Sequence, residues 1–276
     1  MVDSIDLKVS KLKKSLQDMG SVIVAYSGGI DSTLMLQLAH ETLGTKSIGI
    51  TAFSASMPVK EKEEAENIAK LIGANFKVII SHETEDGRYL QNAPDRCFFC
   101  KSDVYDRLID YAQNNGYQFV VDGTNADDAG DHRPGRQAAS EHGVRSPLLE
   151  AGITKDEIRI LAKKYGLPNW DKPAAACLAS RVPYGTMITI PMLGQIEKAE
   201  LVLRNMGFQQ LRVRHHDQVA RIEIEASEFI QIMEKREAIV KALKELGYTY
   251  VTLDLAGFRS GSMNEVLKSN GRRQTT

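Results

Sequence analysis

Cysteine, tryptophan and net charge are what this sequence has least of, and each shortage excludes something. Three cysteines are an odd count that no set of intrachain disulfides can use up, so the chain reads as a reduced, cytoplasmic protein. Lys plus Arg at 35 nearly cancels Asp plus Glu at 36, which removes any general pull toward nucleic acid or a membrane surface. No apolar run approaches the ~20 residues that span a bilayer, and "MVDSIDLKVSKLKKSL" lacks the apolar stretch of a secretory signal. What is present is ordinary for a globular protein: 276 residues, 42% hydrophobic and 26% charged, enough for one large or two modest domains.

Along the chain, Ile5, Val9, Leu12, Leu16 and Met19 recur at helical spacing and Gly20 offers a left-handed stop. Short β-branched runs, "SVIVAY", "KSIGITAF", "NFKVII" and "YQFVVDGT", then alternate with helical segments, among them "KEKEEAENIAKLIG" and "CFFCKSDVYDRLIDYAQNNG". That alternation predicts an α/β domain built on a parallel sheet. "TKDEIRILAKKYG" opens with Thr154 and an acid three places on, the pattern of a capping box. Beyond residue 188 the character changes. A helix "LGQIEKAELVLRNMG" leads to strands "QLRVRHH" and "VARIEIEA", one helix over "EFIQIMEKREAIVKALKELG" and a strand "YTYVTLDL". The expected organisation is an α/β domain over 1–188 and a smaller α+β domain over 189–276.

The densest motif is "AYSGGIDST", a glycine pair between a strand and a helix. Consecutive glycines let backbone N–H groups converge, the helix start adds its positive end, and Ser27 and Ser32 add hydroxyl donors. A plain strand-to-helix turn explains a bare Gly-Gly equally well. Neither a Walker lysine nor a Gly-x-Gly-x-x-Gly spacing is present. The stretch resembles, residue for residue, the SGGxDS pyrophosphate loop of the ATP pyrophosphatase (PP-loop) superfamily. The resemblance implies that Ser27, Gly28, Gly29, Asp31 and Ser32 hold the pyrophosphate of ATP and its Mg²⁺. It also implies that Thr51 to Phe53 line the adenine, and that Gly123 and Asn125 of "DGTNADD" complete the pocket, with His132 and Arg133 in a loop over the nucleotide. Open α/β sheets bind ligands at the carboxyl ends of their strands, where these segments fall.

Within that superfamily, the stretch from "DGTNADDAGDHRPGRQ" through "WDKPAAACLASRVPYGT", with "RVRHH", "ARIEIE" and "LDLAGFRSGSMN", resembles the LarE family over about residues 21–265. LarE proteins insert sulfur into the precursor of the nickel-pincer nucleotide. The implied reaction adenylates a ring carboxylate of a pyridinium dicarboxylate mononucleotide and lets a sulfur nucleophile displace AMP. The resemblance places Cys177, Ser180 and Arg181 among the reacting groups, and Lys101, directly after the C-x-x-C, is either plain helix surface or a contact for a substrate phosphate or carboxylate. It assigns the substrate phosphate to Glu200, Arg212, Arg214, Glu223 and Arg259. Arg212 and Arg214 alternate on one strand and so share a face, which by itself more often means solvated surface.

The family divides by sulfur source. Some members give up the sulfur of the cysteine matching Cys177, leaving dehydroalanine after one turnover. Others hold three cysteines and are thought to bind a 4Fe–4S cluster that presents an extra sulfide. Cys97, Cys100 and Cys177 match the second kind, three thiolates leaving one iron open. A zinc site would want a fourth ligand, with His215 and His216 the nearest candidates, and a Cys97–Cys100 dithiol would leave Cys177 idle. Outside this reaction, a tRNA thiolase and a nucleotide-binding redox sensor are the alternatives. The expected partners are a small nucleotide substrate, an unidentified sulfide source, other nickel-pincer biosynthesis proteins for hand-off and, as in family members, further copies of the chain in a hexamer. Neither nucleic acid nor membrane is expected.

Overall fold

The computed structural model describes residues 4–130, 134–173, 176–259, 261 and 262. They pack as two compact units, one of Met1–Tyr89 with Asp95–Ala175 and one of Leu90–Pro94 with Ala176–Thr276. Residues 176–188, read with the first domain from composition, pack in the second unit. Their reason is visible there: Arg181 is ion-paired to Glu200, and Asn92 donates to the carbonyls of Val182, Pro183 and Thr186.

The first unit starts with α1 (Ile5–Met19), capped by the Ser4 hydroxyl and ended by Gly20 at φ 74°. It continues through β1 (Val22–Ala25), α2 (Ile30–Leu43), β2 (Ser47–Phe53), α3 (Val59–Ile72) and β3 (Asn75–Ile80). After the single turn α4 (Gly87–Leu90) come α5 (Arg96–Asn115), β4 (Phe119–Val121), α6 (Pro134–Glu141), α7 (Pro147–Glu150) and α8 (Lys155–Lys164). All four strands are parallel, in the order β3-β2-β1-β4. Because β1 is central it is apolar on both faces. Val22 and Val24 pack with α1, α2 and α8, while Ile23 packs with Ile48, Ile50 and Leu108 of α5 on the other side. The chain moves outward from β1 to β3 and then returns to place β4 on the opposite side of β1. The crevice between β1 and β4 is therefore the switch point where such sheets take ligands. The capping box expected at Thr154 is present, with Glu157 answering it.

The second unit holds α9 (Ile190–Asn205), β5 (Leu211–His216), β6 (Val219–Ile224), α10 (Phe229–Glu234), α11 (Arg236–Glu245) and β7 (Tyr250–Leu253). β5 and β6 form an antiparallel hairpin turned at Asp217 (φ 55°), and β7 adds parallel to β6. Leu203, Phe208, Val213, Ile222 and Leu243 fill its core. The single helix expected over 228–247 is instead two, broken at Lys235. That residue turns its ammonium to the carbonyl of Met206 at 2.5 Å and over the Phe208 ring, so a tertiary contact outweighs continuous helical hydrogen bonding. Among the described residues no helix is long and apolar enough to cross a membrane.

Candidate active site

The loop between β1 and α2 is shaped by two glycines with different tasks. Gly28 has φ +75°, and a Cβ there would stand 2.9 Å from the Ala65 Cβ of α3, so no side chain fits. Gly29 is the N-cap of α2 in ordinary extended backbone and has only Ser27 Oγ at 3.4 Å from a Cβ position. Ser32 Oγ accepts from the Ser27 N–H at 3.2 Å, meets Ser27 Oγ at 3.1 Å and donates to the Gly29 carbonyl at 3.0 Å. Two hydroxyls are thus held beside the N-terminus of a fourteen-residue helix, an arrangement suited to phosphate oxygens.

The neighbouring strand ends close on this loop. A Cβ on Gly123, just past β4, would lie 2.7 Å from Ser32 N and 3.0 Å from the Asp31 carbonyl carbon, so the backbones touch where only glycine allows it. Asn125 is buried, its side-chain Oδ1 accepting from the Asp127 N–H at 3.0 Å and its backbone N–H donating to the Asp128 carboxylate at 3.2 Å. Thr51 is buried too, and its hydroxyl is committed to the Tyr26 carbonyl at 2.7 Å. Phe53 is half-buried with the Lys62 ammonium 4.8 Å above its ring. Arg133 and His132 lie outside the described residues.

Asp31 brings a residue that the motif does not announce. Both its carboxylate oxygens are 2.6 Å from the ammonium of Lys155, the first residue of α8. Lys155 is set there by the Thr154 capping box and by its own N–H bonded to Asp127 at 2.8 Å. The capping pattern located the helix start; that its first side chain reaches the loop needed the fold.

Cys97 and Cys100 lie one turn apart at the start of α5, so they share a face. Lys101 follows them, with its ammonium 5.5 Å from the centre of the Tyr105 ring. Tyr105 holds Lys101 above the usual lysine range, with Asp122, Cys100 and Cys97 acting in the same direction. Tyr105 itself is pushed up to about 12 by burial and donates to Asp122 at 3.3 Å. Among the described residues no three His, Cys, Asp or Glu side chains converge as a group that could hold a metal ion.

The second unit gathers the arginines. Arg181 grips Glu200 with two bonds of 2.8 and 3.0 Å and donates to the carbonyls of Ala176 and Cys177 and to Ser180 Oγ. Arg214, 1% exposed, grips Glu223 at 3.0 and 2.9 Å and reaches the Ser180 carbonyl at 2.6 Å and Ser262 Oγ at 2.7 Å. The two arginines thereby fix the backbone on which Cys177 sits. Arg212 is also buried but, among the described residues, has no carboxylate in ion-pair reach; it stacks 4.7 Å from the Phe258 ring. Burial and the guanidinium groups of Arg214 and Arg181 push Arg212 down to about 10. Arg259 is half-buried nearby, and its carbonyl accepts from Arg212 at 3.5 Å. Three buried guanidinium groups against two carboxylates leave an excess positive charge, which suits a phosphate better than a solvated face.

Comparison with known proteins places the site in context. A family model described as NAD synthase matches residues 3–124. The chain is 42% identical over 266 residues to an uncharacterized protein of Synechocystis sp., covering 95% of this chain and 99% of that one. It is 41% identical over 261 residues to the pyridinium-3,5-bisthiocarboxylic acid mononucleotide synthase of Lactiplantibacillus plantarum, covering 94% and 95%. It is also 34% identical over 259 residues to an uncharacterized protein of Methanocaldococcus jannaschii, covering 92% of this chain and 98% of that one.

Proposed function

The chain belongs to the LarE family, and from that premise we propose that it uses ATP to convert a carboxylate of a pyridinium dicarboxylate mononucleotide into a thiocarboxylate, as a sulfur transferase of nickel-pincer nucleotide biosynthesis. The observation that carries this reading is the loop 27–32, with two serine hydroxyls and a helix start turned to one place and the Gly123 backbone closed against it. A carboxylate oxygen of the substrate attacks the α-phosphorus of ATP, the bond to the bridging oxygen breaks, and pyrophosphate leaves into the donors of this loop. A sulfur nucleophile then attacks the acyl carbon, the carbon–oxygen bond to AMP breaks, and a thiocarboxylate remains. Activation is needed because a free carboxylate is a poor electrophile and AMP a good leaving group.

Each residue has a place in that sequence. Ser27, Ser32 and the α2 N-terminus bind the pyrophosphate, and Asp31 with Lys155 sets the charge beside it. Mg²⁺, when bound, neutralises phosphate charge. Arg212, with Arg259, takes the phosphate of the mononucleotide, while Arg181 and Arg214 hold the segment carrying Cys177. Lys101 offers a cation to a substrate carboxylate. For the sulfur source we read Cys97, Cys100 and Cys177 as ligands of a 4Fe–4S cluster, which would supply an added sulfide. The donor set fits in chemistry, although no three-ligand group converges among the described residues. The alternative is sacrifice of Cys177: its Sγ attacks the acyl carbon and displaces AMP to form a thioester, and loss of the Cα proton with breakage of the Cβ–Sγ bond releases the thiocarboxylate and leaves dehydroalanine. We also read the protein as a cytoplasmic homo-oligomer acting on a small nucleotide.

Incubation with ATP and the dicarboxylate mononucleotide is the test. Release of pyrophosphate together with oxygen-for-sulfur exchange in the mononucleotide, seen by mass spectrometry, is expected; pyrophosphate release that does not depend on the mononucleotide would sink the reading.

A further inference from the structure

Asn169 is a buried side chain that the reaction above leaves unused. It sits on the segment after α8 between Leu167, part of the first unit's core, and Lys172, whose ammonium bridges Glu61 and Glu64 of α3 at 2.7 and 2.6 Å. Anchored on both sides, its amide enters the rear of the phosphate loop at 5% exposure. The amide nitrogen gives one hydrogen to the Gly28 carbonyl and the other to Thr33 Oγ1, both at 2.9 Å. Beside them the Tyr26 hydroxyl donates to the Ala65 carbonyl at 3.1 Å. The Asn169 amide oxygen is left buried with no hydrogen-bond partner among the described residues. The opposite setting of the amide would press oxygen lone pairs against the Gly28 carbonyl.

A peptide group has two ends. In a trans peptide the C=O and the following N–H point in opposite directions. Holding the Gly28 carbonyl from behind therefore turns the Gly29 N–H forward, where it donates to Ser27 Oγ at 3.4 Å, a long bond that a phosphate oxygen beside the same hydroxyl can take over. Glycine at φ +75° leaves this peptide easy to rotate, so something outside the loop must choose its setting. We infer that Asn169 aims the Gly29 N–H at the pyrophosphate by gripping the other end of the same peptide, and so sets the affinity of the loop for the pyrophosphate group of a nucleoside triphosphate. The inference rests on reading the loop as a phosphate site. It explains why a side chain that leaves its own acceptor orphaned occupies this position, since an unmade buried bond is costly.

Asn169→Asp tests it with almost no change of shape. An ionised carboxylate repels the Gly28 carbonyl and frees the peptide; a protonated one gives back a single O–H donor. The charged groups of the surrounding elements, Lys172 with Glu61 and Glu64, and Asp31 with Lys155, are already ion-paired. The introduced carboxyl is thus the new titrating group. Calorimetric titration of wild type and variant with inorganic pyrophosphate and Mg²⁺ is the measurement, with adenosine as a control that lacks phosphate. At about pH 8 the variant should bind pyrophosphate roughly tenfold more weakly, the worth of one charge-opposed hydrogen bond. The ratio to wild type should close as the pH falls toward about 5.5, where a carboxyl in this desolvated setting regains its proton. Adenosine affinity should not change. Equal pyrophosphate binding at pH 8, a deficit that acid does not close, or equal losses for adenosine and pyrophosphate would each overturn the inference, the last showing a purely structural role. Asn169→Ala, which leaves room for a water donor, should fall between the two. A wild type that binds pyrophosphate but transfers no sulfur overturns the proposed function and leaves this inference standing; one that binds no pyrophosphate overturns both.

Discussion

Arg212 and Arg214 share a face of β5, yet their surroundings give them opposite parts. Arg214 is sealed against Glu223, which is itself fully buried. Removing Arg214 leaves the buried Glu223 to the part-exposed Arg221 at 3.1 Å, so Arg214→Ala should cost about 3 kcal/mol in denaturant unfolding, the lower end for a broken buried pair, and Glu223→Gln in the same chain should recover part of it. Among the described residues Arg212 has no carboxylate to strand, and it is pushed down to about 10 by burial and by the neighbouring guanidinium groups. Arg212→Ala should leave the fold as stable as wild type or more so, and raise KM for the mononucleotide roughly tenfold or more, the worth of a charge-assisted bond. An unchanged KM would return Arg212 to a packing role. The Lys155–Asp31 bond invites the same separation. Both side chains are more than a quarter exposed, so Lys155→Met should alter stability by no more than ~1 kcal/mol. It should still lower kcat/KM for ATP, and an unaltered ATP dependence would show the pair to be surface decoration.

At the scale of elements, the contact of the β4 end with the α2 start is the least forgiving feature. Gly123→Ala would bring a methyl carbon to 2.7 Å from Ser32 N. The backbones must part, at about 1–3 kcal/mol, and ATP binding should fall with them; Gly29→Ala, whose Cβ would make only an ordinary contact with Ser27 Oγ at 3.4 Å, should be far milder. Normal ATP titration of Gly123→Ala would refute the close approach. The four strands and the loop 27–32 were legible in sequence because they are written in neighbouring residues: short β-branched runs, a glycine pair, a capping box at Thr154. What was not legible depended on distant partners. Lys235 ends α10 for the sake of Met206 and Phe208, Lys155 finds Asp31 across 124 positions, and Asn169 finds Gly28 across 141. Local patterns carry no trace of such meetings. The functional assignment of the arginines came from resemblance, and their burial, which makes a phosphate pocket physically sensible, became visible only in the packed second unit.

At the scale of the whole molecule, each unit has a core of its own, and Trp170 reports on the first alone. Arg214→Ala should therefore shift the loss of far-ultraviolet dichroism to lower denaturant while the tryptophan fluorescence transition stays in place; coincident shifts would mean that the units unfold as one. The three cysteines make a second prediction at this scale. As ligands of one cluster, each single Cys→Ala change should remove most of the iron and stop sulfur transfer while leaving pyrophosphate release intact. Full activity of iron-free protein, with activity kept in Cys97→Ala and Cys100→Ala, would assign the sulfur to Cys177 itself.

The five residues Leu90–Pro94 leave the first unit's sequence to join the second, where Asn92 is wholly buried under three carbonyls and Leu90 pairs its carbonyl with the Ile188 N–H at 2.8 Å. A gene cut anywhere near residue 175 would thus separate the second unit from a piece encoded far upstream. Neither half could be traded, fused or inherited without the other, so recombination that shuffles whole modules between proteins would reject this pair, and the half that carries the loop 27–32 and the arginine-rich half are bound to evolve as one locus.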